Sequence, residues 1–164
     1  MKKKWMMALV LGLVTAATLI LAGCSVPKAQ ASTAYDAVWV TPSINGDTVA
    51  IPVDAVTTNH NVHFNVDTVN GTMTFMAYTN GGKPSIRASI CVPCRSRSFT
   101  LKNGQLICDS CGTVFSADTG KGVSGACVGY PKASVTFETT GNNIIMSKVN
   151  LTQAFEDTMS PGLP

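Results

Sequence analysis

Cys91-Val-Pro-Cys94 and Cys108-Asp-Ser-Cys111 are two thiol pairs with the same two-residue gap. Thirteen residues separate them, and a further thiol follows at Cys127. A Cys-x-x-Cys turn aims two sulfurs at one point. Two such turns brought together supply the tetrahedral sulfur set that zinc and iron prefer. Zinc would form a closed structural site that only braces the fold. Iron, as a single ion or as a cluster, would make an electron carrier.

Paired cysteines outside the cytoplasm form disulfides by default, so structural or exchangeable disulfides compete with metal binding. Five thiols are an odd number for that scheme, counting Cys91, Cys94, Cys108, Cys111 and Cys127 and leaving Cys24 aside. A thioredoxin-type redox pair needs a helix starting just after its first cysteine, where the dipole lowers the thiol pKa. The following stretch Arg95-Ser-Arg97-Ser-Phe99 has no helical period. Gly112 directly follows the second pair, as in metal knuckles. Metal ligation by Cys91, Cys94, Cys108 and Cys111 is therefore the expectation, with Cys127 an additional ligand, a thiol held near the metal, or a small buried residue in a glycine loop.

The elements that must position these thiols read as strands. Val62-His-Phe64-Asn-Val66 and Met73-Thr-Phe75-Met-Ala77 alternate in character, and Asn70-Gly71 lies between them where a tight hairpin needs positive φ. Ser85 to Ile90 alternates again and leads into Cys91. Phe99 to Ile107 is a second hairpin around Asn103-Gly104, which folds the chain back so that the second pair approaches the first. A strand is expected over Gly112–Phe115, a glycine-rich loop from Asp118 to Cys127, and a last hairpin joining Ala133–Phe137 to Asn143–Met146. Leu151 to Thr158 suits a brief helix. The expected fold is all-β, a single small domain of antiparallel hairpins carrying two knuckles of rubredoxin, zinc-ribbon or Rieske type.

The N-terminus places that domain. Met1-Lys-Lys-Lys-Trp precedes an apolar run from Met6 to Ala22, then Leu21-Ala22-Gly23-Cys24. A positive head, a short apolar core and small residues before the cut mark an export signal. The last four residues resemble the bacterial lipobox, whose cysteine becomes the lipidated first residue of the mature protein. Residues 1–23 are thus expected to be removed, 24–35 to be a lipid-anchored tether, 36–158 the metal-binding β domain and 159–164 a tail. Loss of Lys2, Lys3 and Lys4 takes twelve basic groups to nine, equal to the nine acidic ones. With no basic run left, nucleic acid is not an expected partner. The expected location is extracytoplasmic, as a cell-membrane lipoprotein.

Taken in order, Ile51-Pro52-Val53, Phe64, the hairpin, Ile86-Arg87, Cys91-x-x-Cys94, Gly104, Cys108-x-x-Cys111-Gly112, Phe115 and the glycine-rich loop to Cys127 resemble the FtrD-like membrane iron-sulphur proteins. The likeness covers about residues 47 to 151 and includes the order of all five cysteines. It implies an extracytoplasmic iron or iron-sulfur domain within a bacterial iron-uptake system that includes an iron permease. Family members are often joined to multi-span membrane proteins, whereas only a lipid anchor on Cys24 is expected here. Cys108 to Met146 also resembles the second half of a Rieske domain, with Cys94 and Cys111 standing where Rieske centres use histidine. A two-iron cluster on four thiolates would carry more negative charge than a Rieske centre and a lower potential.

Other residues carry less. His60 and His63 fall on opposite faces of a strand entrance and read as surface histidines. Met73 and Met76 also alternate, and strand packing accounts for Met73. Arg95 and Arg97 either offset thiolate charge or are simply solvated, and Asp109 reads as a turn residue. No Ser-His-Asp set, catalytic carboxylate pair or nucleotide loop is present. The chain therefore reads as a non-enzymatic electron-transfer or metal-handling protein. A structural zinc ribbon that binds another protein and a thiol-disulfide exchanger are the alternatives.

Overall fold

A computed structural model describes residues 33–162. The signal segment, Cys24 and most of the expected tether lie outside those residues. Among the described residues, thirteen strands and two helices follow in chain order: β1 (Ala34–Tyr35), β2 (Val38–Trp39), β3 (Ser43–Asn45), β4 (Thr48–Pro52), α1 (Val53–Asn59), β5 (Asn61–Thr68), β6 (Gly71–Asn80), β7 (Lys83–Ala88), β8 (Phe99–Lys102), β9 (Gln105–Cys108), β10 (Val114–Ser116), β11 (Gly122–Ser124), β12 (Glu138–Thr140), β13 (Asn143–Ser147) and α2 (Lys148–Met159). They form three sheets ordered β1-β8-β9-β10-β11, β12-β13-β4-β3 and β2-β5-β6-β7. All pairings are antiparallel except the two-residue match of β2 to β5. The all-β expectation holds.

The β5–β6 hairpin is the spine. Val62, Phe64 and Val66 face Ala77, Phe75 and Met73 across the ladder. Side chains alternate across a strand, so Met73, Phe75 and Ala77 enter one core while Met76 and Tyr78 enter another. The first core lies among this sheet, β4, β13 and the helices, and includes Ile51, Val56, Ile144 and Leu151. The second is built on β8, β9 and β10 and contains Phe99, Leu106 and Phe115 together with Cys91, Cys108 and Cys127. Strand β6 is a shared wall buried on both faces, and Met73 and Met76 pack on opposite sides of it.

Turn chemistry explains the hairpins. Asn103 and Gly104 have φ of 51° and 71°, the double positive turn that matches strand twist. In the first hairpin the turn residues are Val69 and Asn70, and Gly71 (φ 118°) opens β6. Three expectations need correction. Ala34 and Tyr35, assigned to the tether, pair with Lys102 and Leu101 of the metal-bearing hairpin. The last hairpin uses Glu138–Thr140, because Ala133 to Phe137 spends its bonds elsewhere: Val135 N–H donates to Ile86 O, and Ser134 bridges Arg87. Helix α1, which no period announces, is seven residues long and buries only Val56.

Helix α2 begins three residues before the expected Leu151, where Ser147 Oγ accepts from Asn150 N–H and caps it. Leu151, Ala154 and Thr158 form its buried stripe. His60 caps α1 in the left-handed region (φ 62°) and its Nδ1 lies 2.9 Å from Thr79 Oγ1.

His63 is not a surface histidine. It is wholly buried, with Trp39 edge-on at 5.5 Å. Its Nδ1 lies 3.3 Å from Arg97 O and 3.2 Å from Ser89 Oγ, while Nε2 has no partner. Burial lowers its pKa from 6.5 to about 4, against the opposing pull of the Arg97 carbonyl. The unfolded chain therefore takes up this proton first as pH falls, so the stability associated with neutral His63 is complete above about pH 6.5 and is lost toward pH 4. The loss amounts to about 3 kcal/mol. Urea midpoints measured from pH 7.5 to 4 should fall more steeply for wild type than for His63→Gln. Parallel curves would show that His63 does not set this slope.

Candidate metal centre

Both thiol pairs sit in backbone turns of the same design. Arg95 N–H donates to Cys91 O at 2.7 Å, and Gly112 N–H donates to Cys108 O at 2.9 Å. Cys91 N–H donates to Ser96 O at 2.8 Å, and Cys108 N–H donates to Thr113 O at 2.9 Å. Each knuckle thus closes four and then five residues on. The residue after each second cysteine has positive φ, 60° at Arg95 and 69° at Gly112. Glycine takes that conformation freely, whereas arginine is strained there. The two turns are internal copies of one another, one delivered by the segment after β7 and the other by the end of β9.

The β8–β9 hairpin joins the copies, pairing Phe99 with Cys108. Asp109 does more than occupy a turn: its carboxylate accepts from Ser98 Oγ at 2.5 Å and Thr100 Oγ1 at 2.8 Å, and its N–H donates to Ser98 O. The second knuckle is thereby clasped to the strand leaving the first. Arg95 and Arg97 are exposed, and Arg97 contributes its carbonyl, which accepts from Ser89 Oγ at 2.9 Å.

All five thiols converge. Cys91 Sγ lies 3.8 Å from Cys111 Sγ, Cys94 Sγ 3.6 Å from Cys108 Sγ, and Cys111 Sγ 3.8 Å from Cys127 Sγ. None of the five is in a disulfide. The sulfurs of Cys91, Cys94, Cys111 and Cys127 all lie within 4.8 Å of one another. Four thiolates around one ion at about 2.3 Å stand about 3.8 Å apart. The observed spacings therefore fit tetrahedral ligation, and the donor set is one that zinc, iron or an iron-sulfur cluster accepts. Cys127 is one of the four sulfurs within 4.8 Å of one another, and Cys108 stands 3.6 Å from Cys94.

Thr113, which nothing in the sequence singled out, ties the loop to the second knuckle. Its hydroxyl accepts Cys127 N–H at 3.2 Å and lies 3.2 Å from Cys111 Sγ. Gly125 makes the approach possible, because a Cβ there would sit 2.7 Å from Thr113 Cα. Further back, buried Arg87 donates to Tyr78 OH (2.8 Å), Lys132 O (2.8 Å) and Asp118 O (2.6 Å), pinning the rest of the glycine-rich loop. Gly120 fits beneath it only without a side chain, since a Cβ would meet Lys132 O at 2.1 Å.

Electrostatically the site is split. Burial pushes Cys91 and Cys94 up from the ordinary thiol range. At exposed Cys111 burial also pushes up, but hydrogen bonds from the Thr113 side chain and backbone, and from Cys108 and Cys94, outweigh it and bring the thiol down to about 6. One thiolate thus forms readily at the rim, while Cys91 and Cys94 hold their protons until a cation replaces them.

No curated protein matches the chain in sequence. Among solved structures, a chain from the complex of reduced oxygenase and oxidized ferredoxin in carbazole 1,9a-dioxygenase superposes with a TM-score of 0.51 at 16% identity, covering 63% of this chain and 95% of that one. The plasma-membrane Rieske protein PetC3 of the cyanobacterium Synechocystis aligns with a TM-score of 0.45 at 21% identity, over 58% of this chain and 94% of its own. The first of these likenesses concerns fold alone. The family model for FtrD-like membrane iron-sulfur containing proteins matches residues 40–156, which span both cores, both knuckles and Cys127. With its two thiol turns and converging fifth cysteine, the chain belongs to the FtrD-like family of membrane iron-sulfur containing proteins.

Proposed function

We propose that this protein is a lipid-anchored electron carrier at the outer face of the cytoplasmic membrane, whose thiol cluster holds an iron or iron-sulfur centre. The observation that carries the reading is the convergence of four sulfurs within 4.8 Å. Cys91, Cys94, Cys111 and Cys127, with Cys108 beside Cys94, form the pool of ligands. When bound, the iron centre would supply one-electron exchange. The protein's own part is to hold the sulfurs at ligand spacing and to exclude solvent from Cys91, Cys108 and Cys127 while Cys111 stands at the surface. That exposed edge is the natural point for electrons to enter or leave.

Placement rests on Leu21-Ala22-Gly23-Cys24, which provides for a lipid on Cys24. Among the described residues, no helix is long and apolar enough to cross a membrane. The family match supports the iron-sulfur and membrane parts of this reading; we extend it to iron acquisition, with an iron permease or other redox components of an uptake system as partners, on the resemblance drawn from the sequence. A structural zinc ribbon and a thiol-disulfide exchanger are the competing uses of the same sulfurs.

Protein lacking residues 1–23, purified without air, should contain iron and acid-labile sulfide, or iron alone for a single-ion site. Its visible absorption should bleach with dithionite. Stoichiometric zinc without colour would replace the carrier by a structural ribbon, and metal-free protein with reversibly oxidising thiols would replace it by an exchanger.

Cys127→Ser should lower bound metal by half or more and alter the spectrum, because Cys127 is one of the four thiols within 4.8 Å of one another. Unchanged metal content and spectrum would leave ligation to Cys91, Cys94, Cys108 and Cys111. For the anchor, wild-type protein expressed in a bacterial host should fractionate with membranes and carry the mass of a lipid on Cys24. Cys24→Ser should lose that mass, and equal behaviour of the two would exclude lipidation.

A further inference from the structure

Lys132 is a lysine with none of its surface exposed. Its Nζ donates to Ile90 O and Tyr130 O, each at 2.7 Å. The same nitrogen stands 4.4 Å from the centre of the Phe115 ring and 5.6 Å from that of Phe99. Ile90 immediately precedes Cys91, and both rings belong to the core that contains Cys91, Cys108 and Cys127. The ammonium therefore lies inside the thiol-bearing half of the molecule, fixed on three sides.

A buried cation is costly unless something compensates it, and an apolar side chain would fill the same volume more favourably. Carbonyl dipoles and ring faces compensate in part. The groups whose charge, once ionised or metal-bound, bears most on this ammonium are the cysteines, Cys91 first, then Cys108, Cys127 and Cys94. Burial pulls its pKa down to about 8, and those sulfurs hold it up. Four thiolates around a divalent ion keep a net negative charge, and adding an electron makes the centre more negative still.

We propose that Lys132 is the internal counter-cation of the metal-thiolate centre, positioned to favour metal loading and the reduced state. This rests on the cluster binding metal as described above. Without the ammonium the centre's negative charge faces only aromatic rings and carbonyl oxygens, so reduction becomes harder and the potential falls.

The test compares wild type with Lys132→Met, which keeps the length without the charge, and Lys132→Gln, which is neutral but still donates. Iron-loaded proteins are titrated spectroscopically for midpoint potential, and the reduced proteins bind Co(II) in competition with a chelator at pH 7. Both variants should show about a tenfold lower reduced-to-oxidised ratio at fixed potential, about 59 mV for one electron. They should also bind Co(II) about tenfold more weakly. Wild-type potential and Co(II) affinity in the folded variants would overturn the proposal, and lower thermal stability alone would assign Lys132 a structural role. Should Lys132→Met not fold, the Gln variant decides. If wild-type protein shows no reducible absorption, the electron-carrier reading fails, and the Co(II) comparison still decides the role of Lys132.

Discussion

Thiols crowded together and buried resist ionisation, and Cys91 and Cys94 work under that constraint while exposed Cys111 escapes it. Burial holds Cys91 and Cys94 protonated. Sulfurs less than 4 Å apart, as Cys94 and Cys108 are, would repel strongly if they lost their protons with nothing between them. A metal cation resolves both difficulties together, so the energy of folding and the energy of ligation are linked. The hydrogen bonds of the two knuckles prepare the sulfurs for that exchange.

The fold supplies this preparation twice. One hairpin with a double positive turn brings together two copies of a six-residue backbone motif, and Asp109 clasps them through Ser98 and Thr100. The glycine-rich loop then lowers Cys127 onto the pair, with Thr113 receiving its amide and Arg87 fastening the far end to β7. The first core contains none of the five thiols. Its part is to hold β6 flat between two apolar layers, so that Tyr78 can donate to Ala117 O from the other side.

Much of this was legible in the residues. The Cys-x-x-Cys spacing and Asn103-Gly104 dictate a hairpin between knuckles, because few sequences populate positive φ twice in a row. The alternation on β5 and β6 is equally plain. What escaped depends on tertiary context. His63 reads as a surface residue because it lies at a strand entrance, yet Ser89 and the Arg97 carbonyl come from distant segments to receive it. Helix α1 is too short to show a period. The placement of Cys127 follows from Gly125 packing against Thr113, which spacing alone does not encode.

The two-residue strand β1 carries a mechanical meaning. Ala34 and Tyr35 pair with the outer edge of the very hairpin that joins the knuckles, and Tyr35 O also accepts from Asn61 Nδ2. Any pull exerted on the chain before Ala34 loads this small patch of backbone pairing first. That patch of pairing is therefore the first thing such a pull would have to open.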